Sequence, residues 1–384
     1  MTTVRPHHPE QLTAPTRPEQ HRFHLLDGLR GIAAVIVVFV HAPRSLRLDP
    51  EYGTLAVDFF FCLSGFVIAF SYEARLLQGM RFSRFLILRL CRLYPLYILA
   101  TFLILLRTPV SADHLHSLQH SPWSFTGMFL LGILAIPNFF TSAPGFEELY
   151  PFNSPAWSLF YEMGANLSYA LLVSRRILHY VLPVIAAAGA LYLVNKAWNN
   201  INLNAGVTAS GMLGACARIG YSYSAGVYIH KAFRSTTWRA SQTLSAIGGV
   251  VLPILLVVLL CAPPMQHGPV YQLMFILILC PLLVYCGSLV HTTSALTRLC
   301  VFLGTISYPI YMIHPFFSLG MTNPRIAELM DNSPLLARGL YLLSVAIIIG
   351  VSWLVARFYD EPVRRRLTAF TKPRSVASPI SAIN

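Results

Sequence analysis

"LDGLRGIAAVIVVFVHA", residues 26–42, is apolar along most of its length, yet it carries Asp27 and Arg30 near its start and His41 near its end. Runs of this kind recur down the chain. "LAVDFFFCLSGFVIAF" (55–70), "PAWSLFYEMGANLSYALLV" (155–173), "YQLMFILILCPLLVYCGSLV" (271–290) and "LYLLSVAIIIGVSWLVA" (340–356) contain few charges, and most reach the length needed to cross a bilayer. Over the 384 residues, 55% are hydrophobic and only 11% are charged, against roughly 25% charged in soluble proteins. Backbone groups in lipid must be satisfied within the segment, so the composition predicts an all-α polytopic membrane protein.

The formal net charge of +13 has two readings, nucleic acid or basic cytoplasmic loops. Lys and Arg bunch in a few loops and the two tails, with no basic stripe interleaved with aromatics, so they read as orientation signals and not as a nucleic-acid surface. The seven cysteines lie in or beside apolar runs without a CxxC. They read as small buried hydrophobes, with no metal site and no disulfide framework. Residues 1–24 are polar and Pro-rich and lack a cleavable signal. They form a disordered cytoplasmic tail, followed by a membrane domain over 25–366 and a second cytoplasmic tail over 367–384.

Loop charges thread the chain. The stretch after the second apolar run carries Arg75, Arg81 and Arg84, which marks it as cytoplasmic and places the N-terminus on the same side. Residues 123–141 are long enough to span. However, the next loop has two acids and no base, while the following run ends on Arg175 and Arg176. Both ends of 123–141 must then lie outside, as in a re-entrant or interfacial segment. This gives about ten transmembrane helices, with both termini cytoplasmic, in the inner membrane.

Ionisable residues at membrane depth are costly and are candidate functional groups by default. Arg30 and His41 are eleven residues apart, on one helix face and about 16 Å apart along the axis. Counting turns groups Arg30, Arg89 and Arg92 as an inner cationic cluster. It groups His41, Asp58, Glu162 and His314 as an outer cluster, with Arg218 near mid-membrane. Guanidinium groups suit phosphate oxygens, and a histidine beside a carboxylate suits general-base chemistry. Plainer readings stand beside these: snorkelling orientation anchors for Arg89 and Arg92, a water-exposed helix start for Asp58, a core histidine for His41, and a structural ion pair for Arg218 with Glu162.

The same residues resemble the acyltransferase-3 family of membrane O-acyltransferases, over roughly residues 22–366. Asp27, Arg30 and His41 lie in a first helix with the family's R-x10-H spacing. "AVDFFFCLSGFVIAF" (56–70), with Asp58 and Ser64, resembles its V-D-x-F-F-x-L-S-G-F element. Arg89 and Arg92 form its R-x-x-R. "FNSPAWSLFYEM" (152–163) supplies Trp157, Ser158 and Glu162. "LGTISYPIYMIHPF" (303–316) supplies Tyr308 and His314, and "FYDEPVRRRL" (358–367) resembles the closing E-P-x-R.

The resemblance implies transfer of an acyl group, commonly acetyl from acetyl-CoA, to a hydroxyl of a surface polysaccharide, lipid-linked sugar or glycosylated small molecule. Arg30, Arg89 and Arg92 would hold the CoA phosphates. His41 would act as base or acyl carrier, with Glu162 or Asp58 orienting its ring. Some relatives append an extracytoplasmic hydrolase-like domain; only a short tail follows residue 366 here, so this chain would transfer directly or with a separate extracytoplasmic partner enzyme. The alternatives are a transporter or flippase, and a non-catalytic member of the family. The former is disfavoured because the sequence shows no paired halves.

Overall fold

The computed structural model describes residues 23–43, 46, 48–107, 122–139, 148–238, 240–321 and 333–371. Most of both expected tails, the loop with His114, His116 and His120, and the acidic stretch around Glu147 lie outside them.

The described residues are helical and contain no β-strand. The helices are α1 (His24–Val40), α2 (Ala56–Leu77), α3 (Phe82–Arg107), α4 (Pro122–Ile133), α5 (Ala156–Ser174), α6 (Leu178–Trp198), α7 (Met212–Ser235) and α8 (Gln242–Leu260). They continue with α9 (Gly268–Leu289), α10 (Ser294–Met321), α11 (Pro334–Val355) and α12 (Glu361–Phe370). A π-turn, Phe275–Leu279, interrupts α9, and another, Ala356–Asp360, joins α11 to α12. The α12 helix therefore runs four residues past the expected domain end at 366.

Seven spans among the described residues are long and apolar enough to cross a membrane: α2, α3, α6, α8, α9, α10, and α11 with α12. Of the other expected spans, α1 has only 17 residues, and α5 and α7 fall outside that set. The reason is visible in α7. It buries Arg218, Ser222, Ser224 and His230 against protein, which a lipid-facing helix could not do cheaply. The apolar α8 instead turns Ile247, Val250, Ile254 and Val258 outward.

Two tight crossings anchor the bundle. A Cβ added at Gly31 would lie 2.5 Å from the Cβ of Leu303, and one at Gly28 would lie 2.6 Å from Cys300 Sγ, so α1 and α10 pack backbone to backbone. Gly65 and Gly226 make the same kind of approach between α2 and α7. In both pairs the helices run parallel: residues 28 and 31 meet 300 and 303, and residues 58 and 73 meet 218 and 230.

The direction of α5 decides the role of α4. It runs parallel to α2, through Phe61–Trp157 and Ser64–Glu162, and antiparallel to α3, through Arg89–Glu162 and Thr101–Asn153. The end of α3 and the start of α5 thus lie at one end of the bundle. The α4 helix has 12 residues, about 18 Å at 1.5 Å per residue, too short for a hydrocarbon core of about 30 Å. Its last carbonyls, orphaned where a helix stops, accept hydroxyls from α3 and the loop before α5. Tyr94 donates to Ile133 O at 2.7 Å, Tyr97 donates to Gly132 O, and Tyr150 donates to Ala135 O at 2.8 Å.

Candidate functional site

A cavity of about 1060 Å3 opens at the end of the bundle where α1 begins and α2 ends. That is at the upper end of the roughly 300–1,000 Å3 of an ordinary small-molecule site, so the cavity has room for a sizeable ligand. Of the sequence-predicted residues, Asp27, Arg30, Ser64, Arg89, Arg92, Ser158, Glu162 and Tyr308 line it.

Most of them are held by a neighbouring helix. From α1, Arg30 pairs with Asp27 at 3.0 Å and donates across the tight α1/α10 crossing to Ser307 Oγ and Gly304 O, both at 2.9 Å. Arg89 is 6% exposed; its Nη2 lies 3.4 Å from Glu162 Oε1, and its Nε has no hydrogen-bond partner. The same Glu162 oxygen accepts from Ser64 Oγ at 2.7 Å. Arg92, one turn on, is exposed. Tyr308 ties α10 to α3 by donating to Leu93 O at 2.6 Å.

The two histidines stand apart from this cavity. Their ring centroids are 4.8 Å apart, with His41 exposed and His314 fully buried. His41 Nδ1 lies 3.0 Å from Val37 O, and His314 Nδ1 lies 3.1 Å from Ile310 O. A carbonyl only accepts, so each Nδ1 carries the proton. In the neutral His41 ring, Nε2 is then the basic atom.

The expected outer cluster of His41, Asp58, Glu162 and His314 therefore divides into three. Only the histidines stay together. Glu162 joins the arginine set, because α5 presents it to α3 seven residues into that helix. Asp58 faces Arg218, at 3.1 and 3.2 Å from Nε and 2.5 Å from Nη2, so the suggested Arg218–Glu162 pair is replaced by Arg218–Asp58. The remaining Arg218 donors reach Asn204 Oδ1, Ala205 O and Thr54 O, and its guanidinium lies 5.8 Å from the Trp157 ring centroid. Buried opposite charges pair with whatever is nearest in three dimensions, which turn-counting along separate helices does not reveal.

Sequence reasoning passed over Ser307 and Tyr311, although both lie in the quoted 303–316 stretch. The Tyr311 hydroxyl is 2.6 Å from Ser158 Oγ. Reasoning from sequence also passed over buried His230 and half-buried Glu73, 3.1 Å apart between α2 and α7. Their positions near two helix ends resembled ordinary loop-proximal charges.

A family profile described as an acyltransferase domain, that of the acyltransferase-3 family, matches residues 23–357. Among curated proteins, Protein 2 in picA locus of Rhizobium radiobacter is 39% identical over 186 residues, covering 46% of this chain and 95% of the relative. No solved structure matches.

Proposed function

Because the chain belongs to the acyltransferase-3 family of membrane acyltransferases, we propose that it moves a short acyl group, acetyl first, from acyl-CoA to a hydroxyl of a sugar-containing acceptor. The donor enters from the cytoplasmic side of the inner membrane, where both chain termini lie. The acceptor is a surface polysaccharide, a lipid-linked sugar or a glycosylated small molecule approaching from the opposite side. The cavity takes the donor, with its phosphates on Arg89, Arg92 and Arg30 and its thioester directed toward the histidines. His41 Nε2 takes the proton from the acceptor hydroxyl as that oxygen attacks the thioester carbonyl. The C–S bond breaks and CoA leaves as the thiol or thiolate.

The observation that carries this reading is Arg89. It is a guanidinium only 6% exposed that lines a large cavity together with Arg30 and Arg92. Its carboxylate partner Glu162 is 3.4 Å away, longer than a close charge-assisted pair, so its charge is available to phosphate oxygens in the cavity. The test is acetyl-CoA binding by purified protein in nanodiscs. Arg89→Ala is expected to weaken binding by roughly one to two decades, the equivalent of a charge-assisted contact of about 1.5–3 kcal/mol. Arg89→Lys restores only part, since lysine lacks the planar fork. Undiminished binding by Arg89→Ala, or none by wild type, would remove the donor assignment.

A further inference from the structure

The large cavity and the exposed His41 are two accessible spaces, and a thin layer lies between them. Phe60, Ser158 and Tyr311 line the cavity's inner end; neither histidine does. The Phe60 ring meets Tyr311 edge-on at 5.6 Å, and the Tyr311 ring lies 6.2 Å from His314, which packs against His41. The chain of contacts from cavity to His41 is therefore Ser158–Tyr311, then His314, then His41.

The direction of the Ser158–Tyr311 hydrogen bond follows from a second contact. Ser158 Oγ donates to Pro155 O at 3.1 Å. With its single proton committed there, Ser158 accepts, and the Tyr311 hydroxyl donates. If Tyr311 turns away, Ser158 keeps its bond to Pro155. Tyr311, swung into the cavity, is then free to donate to another acceptor. Opening this contact exchanges one hydrogen bond for another, whereas separating the close-packed helices around it would forfeit backbone-to-backbone contact.

We propose that the Ser158–Tyr311 pair is the seal between the donor cavity and the histidine pair, and that the acyl group passes through it. In passing, the thioester carbonyl takes the Tyr311 hydrogen bond, and the width left by the Tyr311 and Phe60 rings sets the longest acyl chain transferred. The size-selection part rests on the donor reading given above; the seal itself does not.

The experiment separates the two. Val67, another cavity-lining residue, is replaced by cysteine in a variant lacking the seven native cysteines. A membrane-impermeant thiol reagent is then added from the His41 side of intact cells. With Tyr311 present, labelling is expected to be slow; Tyr311→Ala should speed it at least tenfold. Tyr311→Phe keeps the ring, loses only the hydrogen bond and should fall between. Equal labelling of all three would overturn the seal.

In the second arm, purified protein is offered acetyl-, butyryl- and hexanoyl-CoA. Tyr311→Ala should raise the hexanoyl-to-acetyl ratio of transfer rates by tenfold or more. Tyr311→Phe should leave that ratio near wild type while lowering the acetyl rate. An unchanged ratio in Tyr311→Ala would overturn the size selection even if the labelling result holds. Failure of wild type to bind any acyl-CoA would remove the donor reading and leave the labelling arm to judge the seal.

Discussion

Asp58 and Arg218 hold each other through both carboxylate oxygens, and both side chains are sealed from solvent. Arg218 also fastens the loop at Asn204 and Ala205 to the end of the bundle. Removing one partner leaves a buried charge uncompensated, at about 3–5 kcal/mol. Asp58→Asn is therefore expected to lower the midpoint of thermal unfolding in detergent and the yield of folded protein. Adding Arg218→Met should recover part of the loss. A stable Asp58→Asn protein that no longer transfers acyl groups would return Asp58 to the chemistry.

Glu162 makes a contrasting case. Its carboxylate neutralises Arg89 and accepts from Ser64 inside the cavity. In Glu162→Gln the Ser64 bond can persist, but one negative charge leaves the proposed phosphate site. Acetyl-CoA binding, measured by calorimetry, should tighten by up to about tenfold, or 1.4 kcal/mol, and transfer should fall as Arg89 loses its fixed position. Weakened binding would mean that Glu162 serves the donor in some other way.

How much of this was legible beforehand varied with the kind of interaction. The helical class and the direction reversal around α4 followed from charge placement and chain length, which act along the sequence. So did the common face of Arg30 and His41, fixed by helical periodicity. The partners of Asp58, Glu162 and Arg218 depend on how separate helices cross, at glycines such as Gly31 and Gly65, and residue counts do not contain that. The α7 span was expected from loop charges, but the buried polar side chains that lower its hydropathy have partners only across helix crossings.

Glu148, just before α5, provides a pH test. Burial raises its carboxyl above the usual range, with Ser154 and His41 pulling in the opposite direction. A raised carboxyl favours the fold while protonated. That contribution is full below the unfolded value of about 4.3 and is lost as the pH rises through the higher folded one. Glu148→Gln should flatten the fall in unfolding midpoint above pH ~4.3. A variant whose midpoint tracks wild type across that range would show that the burial is relieved by solvent.

Orientation is tested at the two ends of α2. Gly53 packs beside Val40, so exposed Glu51 lies at the His41 end of the bundle, and exposed Gln78, just past the end of α2, lies at the cavity end. In the cysteine-free background, Glu51→Cys should react with an impermeant reagent added to intact cells, and Gln78→Cys only after lysis. The opposite pattern would place the arginine cavity on the outer side and end the case for a cytoplasmic donor.

His41 is the sharpest test of the chemistry, because the proposed roles separate in space along α1. Arg30 and His41 are about 16 Å apart along the helix axis, and the Ser158–Tyr311 contact lies between the cavity and the histidine pair. His41→Ala should therefore leave acetyl-CoA binding within a few-fold of wild type while transfer falls roughly 10²–10⁴-fold, the range of a lost general base. Because Nδ1 is held by Val37 O, the working atom is Nε2. His41→Gln, whose amide reaches a similar distance without being a base, should be as inactive as His41→Ala. Single-turnover transfer to a sugar acceptor, measured alongside donor binding in the same nanodisc preparation, distinguishes the outcomes. Loss of both binding and transfer would make His41 a structural residue, and retained transfer would move the base elsewhere, with His314 the first place to look.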